Sequence, residues 1–497
     1  MNTADYLLEC GRPDDPALIG NKKTHTYRDL KEAAGRVAAE LAASGIQPGD
    51  RVGLLGNNSF FWAAAYLATM KLGAVAVPLP STIPLSEVQG IQDFVQCKVV
   101  CSERRAYMPF AAALPGKTIF EDVLATPGPV VWPAGDAVGI DDDAALMFTS
   151  GTTQRPRLVR VTHGNIQANT NSIVKYLELG REDRVLAILQ FFYCFGTSLL
   201  HSHLRAGGSV VMATSFTFPE LIINMMDEYH CTGFAGVPST YQTLLRNSTF
   251  PRRTPKSLTK LQQAGGKLQP VLIQELVNCA PQAKVYVMYG QTEATARLSY
   301  LPPSLLGPKL GSIGKGIPGV TLKVIGEDGC EVRPTEVGEI YAWGDNISPG
   351  YWHDEEASKP KFIDGVLHTG DLATVDEDGF IYVVDRKADF IKSYGNRVSS
   401  QRIEEAIVAL PDVVAAAVIG EPDLERGEAI WAFVVRRSGA ELAAQDILRH
   451  CRETLAAYMV PKEVVFLERL PMNAHGKIVK NDLRAMAKQQ SGSEAGA

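Results

Sequence analysis

The spacing of apolar residues changes along the chain, and each change marks an element. In THTYRDLKEAAGRVAAELAASG (24–45) they recur every three to four positions, with threonine ahead and Gly45 behind. That pattern predicts an amphipathic helix with both ends signalled. DRVGLLG (50–56) is a short apolar run closed by glycine, as in a strand buried on both faces. NNSFFWAAAYLATMKLG (57–73) predicts a second helix and AVAVPL (74–79) a second strand. Strand patterns recur at DRVLAILQ, GGSVVMAT, GFAGVPST and AKVYVMYG (183–190, 207–214, 233–240 and 283–290). Strands alternating with helices predict an α/β fold whose mainly parallel sheets are flanked by helices.

The texture changes near residue 311. GVTLKVIGEDGCEVRPTEVGEIYAWG and GVLHTGDLATVDEDGFIYVVDR read as strands joined by Asp-Gly turns, which predicts a smaller antiparallel β subdomain over 311–386. From Ser399 onward, helical and strand patterns alternate in a compact α+β unit. DRKADFIKSYGN (385–396) is the expected joint. The chain is therefore divided into a large domain, 1–386, and a small mobile C-terminal domain, 387–497. KQQSGSEAGA (488–497) is expected to be disordered.

Composition narrows the function. The 497 residues are 45% hydrophobic and 21% charged, with a net charge of −6, ordinary for a globular protein and unlike a nucleic-acid binder. WAAAYLATMKLGAVAVPLP (62–80) is the most membrane-like stretch, but Lys71 and its prolines make it a core helix and strand. No span is expected. The start, MNTADYLLECGRPDD, lacks a basic, then apolar, signal pattern. Eight scattered cysteines, without a histidine beside Cys97 and Cys101, read as reduced thiols. A cytoplasmic enzyme, monomer or homodimer, is expected.

One stretch carries candidate chemistry. In MFTSGTTQRPRLVRVTH (147–163), small hydroxyl residues flank a glycine after a strand-like run. Such a loop offers backbone N–H groups and hydroxyls to phosphate oxygens. It lacks the glycine spacing of a Walker loop, and a Ser/Thr/Gly cluster alone is more often a turn. Four further motifs decide: YGQTEAT (289–295), GSIGKGIPG (311–319), HTGDLATVDEDGFIYVVDRKADFIKSYGNRVSSQRIEEAI (368–407) and LPMNAHGKIVKNDL (470–483). In this order, the set resembles the adenylate-forming superfamily of acyl- and aryl-CoA synthetases, peptide-synthetase adenylation domains and luciferases.

The resemblance implies a two-step reaction. A carboxylate attacks the α-phosphate of ATP, held with Mg2+, and a thiol of CoA or a separate acyl carrier protein then takes the acyl group. It assigns Thr149, Ser150, Gly151, Thr152 and Thr153 to the phosphates. Arg157 stands where the family usually has lysine, and Gln154 and Leu158 replace two flexible glycines. Gly265, Gly266 and Lys267 would lie along adenine, and Tyr289, Gly290, Gln291 and Thr292 near adenine and the α-phosphate. Glu293 would hold magnesium. Asp371 would bind the ribose diol, for which a carboxylate has two acceptor oxygens, with Arg386 and Lys392 also facing the nucleotide. Ala388 falls at the hinge, where relatives carry a charged residue, and Tyr394 and Gly395 at the thiol tunnel. The acid pocket would be built from Phe192, Tyr193, Phe195, Gly236, Val237, Gly311 and Gly316. No aspartate lies in QFFYCFGTS to pair with an α-amine, which points to a fatty or aryl acid. An amino acid substrate, a non-thiol acceptor and an inactive nucleotide-binding homologue are the alternatives.

Lys477 would bridge the attacking carboxylate and the α-phosphate, cancelling charge as they meet. Lys477→Ala is expected to lower acid-dependent ATP–pyrophosphate exchange by at least about 100-fold. Unchanged exchange would remove Lys477 from catalysis.

Overall fold

A computed structural model describes the whole chain except residues 21, 115, 127–129, 134–137, 150–156, 214, 387–389, 424, 474–477 and 495–497; at 386, 397 and 491–494 only the backbone is described. Two large sheets carry the predicted α/β pattern. The six-stranded sheet runs Lys117–Phe120, Val99–Ser102, Arg51–Leu55, Val75–Leu79, Asp143–Phe148, Leu158–Thr162. Its pairs are parallel except the last. The nine-stranded sheet has a parallel centre formed by Lys284–Tyr289, Lys260–Gln263, Gly233–Gly236, Arg184–Ala187, Ser209–Met212 and Pro16–Gly20, with antiparallel edges.

Helix Phe60–Lys71 shows why the apolar run at 62–80 stays in the protein. Its buried residues share one core with Val52 and Leu54 of one sheet and Val185 and Val210 of the other. A helix covered on every side needs no polar face. Ser59 caps it by accepting from the Trp62 amide at 3.1 Å. Lys71 is buried too, and Asp5 neutralises it at 2.6 Å. Among the described residues, no helix is long and apolar enough to cross a membrane.

Two segments differ from expectation. The stretch beginning at Thr24 first forms an edge strand, Lys23–Thr26, and the helix is Tyr27–Ala43. Thr26 and Asp29 form a reciprocal capping box there, which fixes the start. At the other end, the expected disordered tail is mostly helix, since Lys480–Glu494 runs through it. Leu483 and Ala487 bury against Phe433 and Trp431, so packing overrides the polar composition.

Val320–Ile325, Gly338–Gly344, Val366–Val375, Phe362–Ile363 and Ile381–Arg386 make a five-stranded antiparallel sheet. The C-terminal unit has its own five strands, centred on the long hairpin Val413–Asp423 with Gly427–Arg436. Arg246, on helix Pro238–Arg246, reaches this unit. It pairs with Glu275 at 2.5 Å and donates to the carbonyls of Leu410, Pro411 and Val413 at 3.4, 2.9 and 3.1 Å.

His163, His201 and His203 are buried, and burial lowers their pKa values to about 4, about 3 and about 4. Each is neutral in the fold but protonates in the unfolded chain below about 6.5. The unfolded state therefore binds more protons between pH 6.5 and 4, and stability is lost as pH falls through that window. The expected loss is about 1.4 kcal/mol per pH unit for each histidine. The urea midpoint at pH 5 should lie below that at pH 7; equal midpoints would contradict neutral burial.

Candidate active site

Strands of a parallel sheet end together, and the loops beyond their carboxyl ends enclose a cleft. Here that cleft is a cavity of about 730 Å3. Ile188, Leu189 and Gln190 follow strand Arg184–Ala187 into it, and Val237 follows Gly233–Gly236. Ala264 and Gly265 follow Lys260–Gln263, and Gly290, Gln291, Thr292 and Glu293 follow Lys284–Tyr289. Thr149 comes from the six-stranded sheet, and Thr369, Gly370 and Asp371 from the antiparallel one. Met472 and Asn473 of the LPMNAHGK motif complete the rim.

The turn after Tyr289 is tight. A β-carbon on residue 290 would lie 1.9 Å from the Ala296 carbonyl oxygen, so only glycine fits. The chain doubles back, and the Leu298 amide donates to the Tyr289 carbonyl at 2.9 Å. This brings the Tyr289 hydroxyl to Asp371, to which it donates at 2.5 Å. Burial and the Asp371 charge raise the Tyr289 pKa far above the usual phenol range, so it remains a donor. Gln291 lies 3.5 Å from both the Tyr289 hydroxyl and the Thr369 carbonyl. Asp371 pairs in register with Arg386 across adjacent strands.

Glu293 is held from one side: Tyr351 donates to its carboxylate at 2.8 Å. Arg157 stacks over the Tyr351 ring, 5.6 Å from its centre, and sits 3.6 Å from Asp354. Lys361 also lines the cavity and donates to the Thr369 carbonyl at 2.7 Å. Thr149 spends its amide on the Arg157 carbonyl at 3.0 Å, leaving its hydroxyl as the donor. Thr292 lies 3.5 Å from the Cys194 thiol at the start of helix Cys194–Ala206.

Part of the cavity lining is aromatic and apolar. Tyr193, Phe195, Phe216 and Val237 line it. Burial raises the Tyr193 pKa, so its phenol stays protonated. Gly265 sits at φ +87°, and a β-carbon there would lie 2.9 Å from a Val237 methyl.

Several expected residues lie elsewhere. Phe192 is buried core, packed edge-on against Tyr193 and absent from the lining. Gly236, Gly311 and Gly316 are also outside the lining; Gly236 makes room for Thr240 and Gly316 for the Val320 carbonyl. Gly266 accepts from Gln263, and Lys267 faces Glu405 of the C-terminal unit at 3.7 Å. Lys392 is exposed, on strand Ile391–Ser393. Tyr394 and Gly395, both at positive φ (50° and 75°), form the hairpin turn that follows it, with Arg426 over the Tyr394 ring. None of these three lines the cavity. Ser150, Gly151, Thr152, Thr153, Ala388 and Lys477 fall outside the described residues, as does the Arg386 side chain.

Two cations were missed in the sequence. Lys361 sits in a polar stretch, WHDEEASKPKF, with no pattern to single it out. Arg297 lines the cavity four residues beyond Glu293, close enough to the YGQTEAT motif to have drawn notice.

These residues suit a nucleotide: a carboxylate fixed by a phenol, a glycine turn at the strand end, and cations beside a carboxylate. Among the described residues, no three His, Cys, Asp or Glu converge on one point. Glu293 alone at the phosphate end matches magnesium, which keeps waters and takes substrate phosphates as ligands.

Residues 10–352 match the family described as AMP-binding enzyme, and residues 402–477 its C-terminal domain. A feruloyl-CoA synthase from Amycolatopsis is 32% identical over 467 residues, covering 92% of this chain and 93% of that one. The o-succinylbenzoate CoA synthetase of Bacillus subtilis, solved with ATP and magnesium, superposes with a TM-score of 0.84 at 29% identity, covering 97% and 99% of the chains. An anthranilate CoA ligase, solved with anthranoyl-AMP, gives a TM-score of 0.91 at 26% identity over 99% and 98%. With its motifs, its cavity and its full-length relatives in agreement, the protein belongs to the AMP-binding enzyme family, the adenylate-forming enzymes.

Proposed function

We propose that the protein activates an aryl carboxylic acid with MgATP and passes the acyl group to the thiol of CoA, releasing pyrophosphate and AMP. The observation that carries this reading is one cavity with two unlike sets of lining residues: a polar set built on Glu293 and on Asp371, which Tyr289 holds from outside the lining, and an aromatic set built on Tyr193, Phe195 and Phe216. Feruloyl and anthranilate, the acids named for two relatives, are aromatic, which favours an aryl acid over a fatty one. The relatives' CoA-ligase names favour CoA over a carrier protein.

Each residue then has a task. Asp371 accepts the ribose hydroxyls, with Tyr289 holding one of its oxygens in place. Glu293, oriented by Tyr351, takes a place in the magnesium shell. Thr149, Thr292 and Arg157 line the cavity and would meet the phosphates there, and the TSGTT motif would add donors from 150–153. A carboxylate oxygen attacks the α-phosphorus, pyrophosphate leaves, and Lys477 neutralises the two anions as they approach. The thiol then adds to the acyl carbon and AMP departs. Division into a large domain ending near 386 and a small domain after it suits this sequence. In this arrangement Met472 and Asn473 are at the cavity. Tyr394 and Gly395 would reach the thiol after the small domain turns, with Ala388 as the pivot.

Asp371→Asn should raise the KM for ATP about 10- to 100-fold, the loss expected for a hydrogen bond to a charged group, with less effect on kcat. An unchanged KM would remove Asp371 from the ribose site. Product analysis with an aryl acid, ATP and, in turn, CoA, a pantetheinylated carrier or an amine should give the CoA thioester. An amide product would favour the non-thiol alternative.

A further inference from the structure

Arg297 is only 2% exposed and is among the largest fully buried side chains of the protein. Its guanidinium lies 4.0 Å from the centre of the Phe195 ring and hydrogen-bonds with the Tyr176 hydroxyl. Its Nε has no partner, and among the described residues no carboxylate forms an ion pair with it. Other buried cations here are neutralised: Lys71 by Asp5, and Arg246 by Glu275. A guanidinium keeps its charge, and burying it unpaired costs much more than a ring and one phenol return. Arg297 also lines the cavity, at the end carrying Phe195 and Ala264. The missing anion therefore has an obvious route in, with the substrate.

The reacting carboxylate must lie at the phosphate end, beside Thr149, Thr292 and Glu293. Arg297 packs against Phe195 and Tyr176, and Tyr176 joins the buried cluster of Ile173, Met288 and Ile317. We propose that Arg297 is a specificity-determining residue that binds a second carboxylate on the acid substrate, so that the preferred acids are dianions. This rests on the function proposed above and names the acid class of that same site. The planar guanidinium fork suits a carboxylate, which it grips with two parallel hydrogen bonds. Phe195 beneath it excludes water, which strengthens that contact.

The test is ATP–pyrophosphate exchange with matched pairs of acids, benzoate with phthalate and isophthalate, and cinnamate with carboxycinnamates, in the wild type and in Arg297→Met and Arg297→Lys. In the wild type the best dicarboxylate should exceed its monocarboxylate partner in kcat/KM by about 100-fold or more, because a site that loses its partner leaves a buried group unpaired. Arg297→Met should reverse this preference, mainly through KM, while monocarboxylates hold or gain. Arg297→Lys should restore part of it. Without acid, Arg297→Met should melt no lower than the wild type, since an uncompensated charge has been removed. Equal loss with every acid, or no preference in the wild type, would overturn the proposal. If no acid supports exchange, the proposed function fails separately. The carboxylate site is then read by thermal shift: the dicarboxylates should stabilise the wild type and not Arg297→Met, and stabilisation of neither would overturn it.

Discussion

The hydrogen bond from Tyr289 to Asp371 joins two sheets that share no strand. Tyr289 ends the parallel strand Lys284–Tyr289, and Asp371 lies within the antiparallel strand Val366–Val375. The turn that aims Tyr289 demands glycine at 290, because the Ala296 carbonyl occupies the space of any β-carbon. The same turn delivers Thr292, Glu293 and Arg297 to the cavity. One backbone constraint thus aims Tyr289 and brings three more side chains to the same cavity.

Charge is placed around that frame with a clear division. At the phosphate end, Arg157, Lys361 and Glu293 are held by Tyr351, Asp354 and the Thr369 carbonyl. These partners cost little to share with a substrate, because the side chains are only partly buried. Beside Phe195, Arg297 has no carboxylate partner among the described residues. A cation there is costly until an anion arrives, and such a cost converts directly into discrimination between acids. The buried histidines His163, His201 and His203 lie outside the cavity lining; they are neutral and structural.

The fold was legible wherever burial imposes a period. The helix at 57–73 follows from an apolar run packed between both sheets, and the strands at 50–56 and 74–79 from runs buried on both faces of one sheet. Capping chemistry fixed the start of helix Tyr27–Ala43, yet the strand before it was hidden, since Lys23–Thr26 is a polar edge. The C-terminal helix was hidden because Leu483 and Ala487 are too sparse to show a face until Phe433 supplies one. Motif order gathered Thr149, Glu293 and Asp371, which meet at one cavity from three sheets, and Tyr289, which bonds Asp371. Local sequence could not show that Phe192 turns inward beside a lining Tyr193, nor that Lys267 points at Glu405. Lys361 gave no signal of its own, and Arg297 gave only its nearness to YGQTEAT, because burial and facing are properties of the assembled cavity.

The central claim is that the carboxylate itself attacks the α-phosphorus. Turnover of an acid labelled with 18O in both carboxylate oxygens, with unlabelled ATP and CoA, tests it directly. The account predicts AMP carrying one 18O, because the bridging oxygen stays with phosphorus when the thiol breaks the acyl–oxygen bond. Unlabelled AMP, or ADP in its place, would contradict it.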